Sequence, residues 1–130
     1  MEYQEKTVYR IFSIRFSGGE RIIESLEKLI QEKNIRAGAI FFAGAFSNGN
    51  LVSGFRKHSK VPMDFNPMSF SQTQEVIGMG SISWVNDRPK VRLQAGIGKE
   101  REVFIGRVEE AGVAGAEAFV LEFSGNSFTS

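Results

Sequence analysis

The chain has 130 residues, 42% of them hydrophobic, with 12 Phe and 1 Trp, enough apolar side chain to fill one domain core without a covalent staple. Cysteine is absent, which excludes disulfides, thiolate zinc sites and cysteine nucleophiles. With 16 Lys and Arg against 15 Asp and Glu, the chain lacks the basic excess of a dedicated nucleic-acid domain, so any such contact must come from a local patch.

Residues 1–6 are polar and charged rather than a signal peptide. No apolar run approaches the roughly 20 residues that span a bilayer, so the expected compartment is the cytoplasm. Residues 7–16 read as a first strand, with Phe12, Ile14 and Phe16 on one face and Ser13 and Arg15 on the other. Ser17 and Glu20 have the spacing of a capping box. Residues 20–33 then read as an amphipathic helix, with Ile22, Ile23, Leu26, Leu29 and Ile30 as its apolar stripe. Glu24 and Lys28 form a favourable i, i+4 pair, and Asn34 can end the helix in the left-handed conformation.

Residues 38–46 read as a buried strand, and 49–56 as a second strand returning across Ser47-Asn48-Gly49, where Asn-Gly is a hairpin signal. Residues 57–74 are polar, contain Pro62 and Pro67, and suggest an irregular crossing with a short strand near 65–70. A strand with alternate glycines follows at 75–84, then a turn at 86–89. Val91, Leu93, Ala95 and Ile97 alternate with Arg92, Gln94 and Gly96, as in a half-buried strand. Residues 102–108 and 116–123 read as two further strands, and 124–130 as a polar tail. One early helix followed by about six strands predicts a single α+β domain over 1–130 with a mixed, mostly antiparallel sheet.

The sequence is poor in catalytic constellations. His58 is its one histidine, short of the three or four ligands that a zinc site needs, so no metal site and no cofactor is expected. No Gly-x-Ser-x-Gly elbow is present, and nothing pairs a serine with His58. Gly78-Met79-Gly80 and Gly96-Ile97-Gly98 lack the third glycine of a dinucleotide fingerprint, so they read as strand glycines at close backbone approaches. Glu100/Glu102 and Glu109-Glu110 read as solvated carboxylates rather than an acid–base pair. No catalytic residue is therefore assigned. The densest positive run, Arg56, Lys57, His58 and Lys60, is either a solvated loop or a contact for nucleic-acid phosphates. Arg88-Pro89 is a fragment of an AT-hook core, preceded by Asp87.

The order of blocks resembles the plant- and prokaryote-conserved (PPC) domain family. The blocks are Phe12-Ser-Ile-Arg-Phe16 with Gly-Glu and a helix, Asn34-Ile-Arg-Ala-Gly38 with Gly44-Ala-Phe46, and Glu75-Val-Ile-Gly-Met-Gly-Ser81. Arg92-Leu-Gln-Ala95, Ile105-Gly-Arg-Val108 and the closing strand at 117–122 complete it. The resemblance covers about 8–123. It implies one mixed sheet flanked by helices, assembly as a homotrimer, and DNA or another protein as partner; plant members join the domain to AT-hooks in nuclear DNA-binding proteins. The plant segment that engages partners, Gly-Arg-Phe-Glu-Ile-Leu, corresponds here to Gln72-Thr-Gln-Glu75-Val-Ile77, which keeps its second half. Many prokaryotic members carry a His-x-His and a further His, some binding a metal; the matching positions here are Arg92, Gln94 and Arg107. Guanidiniums cannot ligate a metal. The three side chains can bind a small carboxylate or phosphate, or pair with carboxylates such as Glu102, Glu117 or those of a neighbouring subunit.

Overall fold

The structure, a computed structural model, describes residues 1–53 and 66–124. The basic run Arg56, Lys57, His58 and Lys60 and the tail beyond 124 lie outside them. Six strands and one helix follow in the order β1 (Val8–Phe16), α1 (Ile22–Lys33), β2 (Gly38–Ser53), β3 (Asn66–Phe70), β4 (Gln74–Val85), β5 (Arg88–Lys99) and β6 (Glu102–Phe123). They form one sheet in the order β1-β6-β5-β4-β2-β3, with β6 also paired to β2. All pairings between described strands are antiparallel, so the mixed sheet expected above is corrected to an antiparallel one. The α+β class stands.

Two strands are much longer than the sequence suggests. β2 has 16 residues and β6 has 22, and they pair from Gly38↔Glu122 to Val52↔Arg107. Register shifts between Ala45/Phe46, Phe46/Asn48 and Asn50/Leu51 mark bulges, which bend strands and add local twist. Each long strand therefore serves two neighbours. The first half of β2 borders β4 and its end borders β3. The start of β6 borders β5 and its second half borders β1.

The hairpin expected at Ser47-Asn48-Gly49 is absent, because the chain runs straight through as β2. A type I′ turn needs positive φ at both central residues, and neither Asn48 nor Gly49 has it. Gly49 instead admits a close approach: a Cβ there would lie 2.9 Å from the Ala111 Cβ. The tight hairpin is at Asn86-Asp87, φ 51° and 61°, between the paired Val85 and Arg88. Strand β5 thus begins within the turn read at 86–89. The two strands read at 102–108 and 116–123 are one.

The helix buries Ile22, Leu26 and Ile30 in one core with Phe42, Phe46, Leu93 and Val120. It ends as expected, with Asn34 left-handed (φ 53°, ψ 47°) and the Ile35 N–H donating to the Ile30 carbonyl at 3.0 Å. Its start differs. The Ser17 N–H does donate to the Glu20 carboxylate, at 3.0 Å, but this closes the turn before a helix that begins only at Ile22. Arg21, in the cap position, makes no side-chain cap bond.

Glu110 of β6 supplies the acceptor instead. Its carboxylate takes the Ile23 N–H at 2.9 Å, the Glu24 N–H at 3.2 Å and the Ala111 N–H at 3.0 Å, with Arg21 Nε 3.8 Å away. A carboxylate there satisfies free N–H groups and meets the positive end of the helix dipole. The expectation of a solvated Glu110 is corrected accordingly. At the other end of the helix, Arg10 bonds the Glu122 carboxylate, 8% exposed, and donates to the Lys33 carbonyl at 2.7 Å. The hydrogen bond to Glu122, reinforced by its charge, raises the Arg10 guanidinium above its ordinary value.

Glu110→Ala should destabilise the fold by about 1–2 kcal/mol, the scale of a lost helix cap, and Glu110→Gln by less. Chemical denaturation of the three proteins measures this; equal stability would show that the cap contributes nothing.

Candidate functional site

A strand with its inner residues buried presents every second side chain to the far side. Along β5 the inward positions are Pro89, Val91, Leu93 and Ala95, all buried, and the outward ones are Arg88, Lys90, Arg92 and Gln94, all exposed. On β6, Val103, Ile105 and Arg107 are exposed while Gly106 and Val108 are buried. Register places Gln94 directly opposite Arg107. Arg92, Gln94 and Arg107, the candidate ligand-binding residues, therefore share one face, with Arg92 two residues along from Gln94. Their side chains make no ion pair or hydrogen bond to another described residue. Glu117, one of the carboxylates considered for them, bonds Arg15 at 3.2 Å.

The same row crosses the sheet from Arg107 and Gln94 to Met79, Phe41 and Phe119. The next row holds Ile105, Gly96, Ile77 and Ala43, ending at Glu117. Between them lies a depression of about 1150 Å³. Its apolar side chains are open: Ile77 is 68% exposed, Ile105 69%, Val103 66% and Met79 53%. Phe41 and Phe119 are also exposed on this face, so the strand read as buried at 38–46 is buried only on the α1 side. The arrangement is an apolar floor with the Gln94 amide at one rim, Arg92 and Arg107 beside that rim, and an Arg–Glu pair at the other. It can cover another apolar surface, hold an anion at the cationic rim, or both.

Among the described residues no group of three His, Cys, Asp or Glu could hold a metal ion, and no helix is long and apolar enough to cross a membrane. The phosphate-contact candidates Arg56, Lys57 and Lys60 lie outside the described residues. Sequence reasoning missed Arg88 and Lys90, because assigning 86–89 to a turn removed Arg88 from the strand phase. It also missed the apolar outer face, whose members are scattered over three strands and meet only through register.

The glycine pairs have a packing role. Gly78 and Gly80 point to the core side of β4. A Cβ at Gly78 would collide with the Gln94 carbonyl oxygen and the Phe42 ring, and one at Gly80 with Leu93. Gly96 faces the depression, where an added Cβ would meet Val103 at an ordinary 3.6 Å.

The family model of the Plants and Prokaryotes Conserved (PCC) domain matches residues 3–124. No curated protein matches the chain. Among solved structures, a metal-containing protein of Archaeoglobus fulgidus is 25% identical with a TM-score of 0.84, covering 98% of this chain and 89% of its own. A plant- and prokaryote-conserved protein of Pyrococcus horikoshii is 22% identical with a TM-score of 0.79, covering 98% and 87%. A presumed DNA-binding protein of Bacteroides thetaiotaomicron is 21% identical with a TM-score of 0.75, covering 93% and 86%.

Gly78→Ala should cost about 1–3 kcal/mol through overpacking, whereas Gly96→Ala should stay within about 0.5 kcal/mol, as at a surface position. Thermal melts of both variants test this. Equal losses would mean that Gly96 is as confined as Gly78.

Proposed function

We propose, for a chain that belongs to the Plants and Prokaryotes Conserved (PCC) domain family, that it is a non-catalytic homotrimeric interaction module whose partner is DNA. The observation that carries the assembly is the apolar outer face. Ile77, Met79, Val103, Ile105, Phe41 and Phe119 are all exposed there, and soluble monomers rarely leave so large a contiguous patch uncovered. Covering it with a second copy removes apolar area from water. Because the depression on one copy need not meet the depression on the next, the contact can be head-to-tail, and a head-to-tail contact that closes gives a ring. The lack of cysteine and the lone histidine support a non-catalytic role. The DNA partner is supported by the likeness to the presumed DNA-binding protein of Bacteroides thetaiotaomicron.

A second reading is favoured by the row of Arg92, Gln94 and Arg107. Two guanidiniums beside an amide, without a carboxylate bonded to them among the described residues, can fork onto a small carboxylate or phosphate. On this reading the site is an anion pocket on the outer face of β5 and β6.

Light scattering should give three times the chain mass for the wild type, and Ile77→Glu should lower it towards the monomer, since a charge would then enter the covered face. A wild-type monomer at micromolar concentration overturns the assembly. For the second reading, a small anion at a hundredfold excess over its Kd should stabilise the protein by about 2.7 kcal/mol. Arg107→Ala should abolish that thermal shift; equal shifts in both proteins would make the arginine structural.

A further inference from the structure

We propose that Arg88, Lys90 and Arg92 on β5, with Arg107 on β6, form the surface that holds the phosphate backbone of DNA. The proposal rests on the DNA reading above and adds the residues that make the contact. The three β5 cations occupy successive outward positions and are all exposed. Two residues of strand rise by about 6.8 Å, so the three lie along a line of about 14 Å. Arg107 extends the line sideways, opposite Gln94. The neighbouring outward positions on β4 are Ser81, Ser83 and Val85, none of them charged.

The carboxylates around this stripe are few. Asp87 sits in the turn before Arg88, and exposed Glu109 lies two residues beyond Arg107. Glu27 of α1 approaches β5, but its carboxylate accepts the Val91 N–H at 2.9 Å. The ion pairs Arg10–Glu122, Arg15–Glu117 and Arg21–Glu110 do not involve the stripe. In a chain with nearly equal numbers of cations and anions, four unneutralised cations on one face are a local concentration of charge. Their mutual repulsion is relieved by a polyanion.

The shape argues for a repeating anion. The charges form a line instead of converging on one point, and duplex DNA carries a phosphate per 3.4 Å of axis on each strand, about four along a 14 Å line. Backbone contacts of this kind position the protein and read no sequence. The apolar depression reaches β5 only from Gln94 onward, so a copy seated in it leaves Arg88, Lys90 and Arg92 open.

The test is fluorescence anisotropy with labelled AT-rich and GC-rich duplexes between 50 and 200 mM salt. Four phosphate contacts from one copy give a slope of about −3.6 in log K against log salt, a loss of about 150-fold over that range. Both duplexes should bind alike. The combined variant Arg88→Ala/Lys90→Ala/Arg92→Ala, with its fold checked by circular dichroism and melting, should fall to a slope of about −0.9 and lose only about 3- to 4-fold. If both proteins bind with the same slope, the DNA reading stands and this stripe is wrong, which would send attention to Arg56, Lys57 and Lys60. If the wild type binds neither duplex at 50 mM salt, both are wrong. Competition by millimolar inorganic phosphate that removes all duplex binding would return Arg92 and Arg107 to the small-anion reading and overturn the stripe.

Discussion

The antiparallel pairing of β2 with β6 is the interaction on which the rest depends. It joins the two longest strands over 14 residue pairs and gives every other strand its place. β4 and β3 hang on one side of β2, and β5 and β1 on one side of β6. Strands this long cannot stay straight in a twisted sheet. The three register shifts absorb the mismatch, and the glycines at 49 and 112 let the backbones come close where side chains would intervene. The same pairing carries Glu110 to the start of α1, so the helix is capped by the strand it packs against. The helix is thereby fixed to one face of the sheet, and the other face is left for outside partners.

That division of faces sets the chemistry. Because side chains alternate, one strand can bury Val91, Leu93 and Ala95 while presenting Arg88, Lys90, Arg92 and Gln94. The outer face is graded along β5, from cations at the hairpin end to glycines beside the apolar depression. A surface built this way offers two kinds of contact without crowding either. Apolar side chains favour a permanent partner, and a row of guanidinium and ammonium groups favours one held by charge and released by salt.

Local rules carried well into the helix and the short strands. The 3.6-residue stripe located α1, Asn34 took the left-handed cap, and the period-two pattern gave the faces of β5 correctly enough to set Arg92 beside Gln94. What the sequence concealed was tertiary. Asn48-Gly49 has the letters of a hairpin, yet pairing with β6 on one side and β3 or β4 on the other held the backbone extended. Residues 109–115 look like a break because they are charged and glycine-rich, yet they run opposite the bulged part of β2. The capping role of Glu110 could not be read locally, since its partners at positions 23 and 24 lie 87 and 86 residues away. The apolar outer face was hidden for a similar reason. β2 contributes one exposed hydrophobe, β4 two and β6 three, well separated along the chain, and only the registers align them.

The register of β1 with β6 also governs how the chain can reach this state. Arg10 meets Glu122 across 112 residues, and Ser47 meets Gly112 across 65. Contacts of such separation close large loops before they return any free energy, and sheets dominated by them fold in about milliseconds to seconds. On a ribosome, β1 and β2 are synthesised long before their common partner. Until the last strand emerges, both present unpaired edges and apolar faces, the condition in which nascent chains associate wrongly. Strand β6 is therefore what closes the sheet, and removing it would open the centre of the sheet instead of trimming its margin.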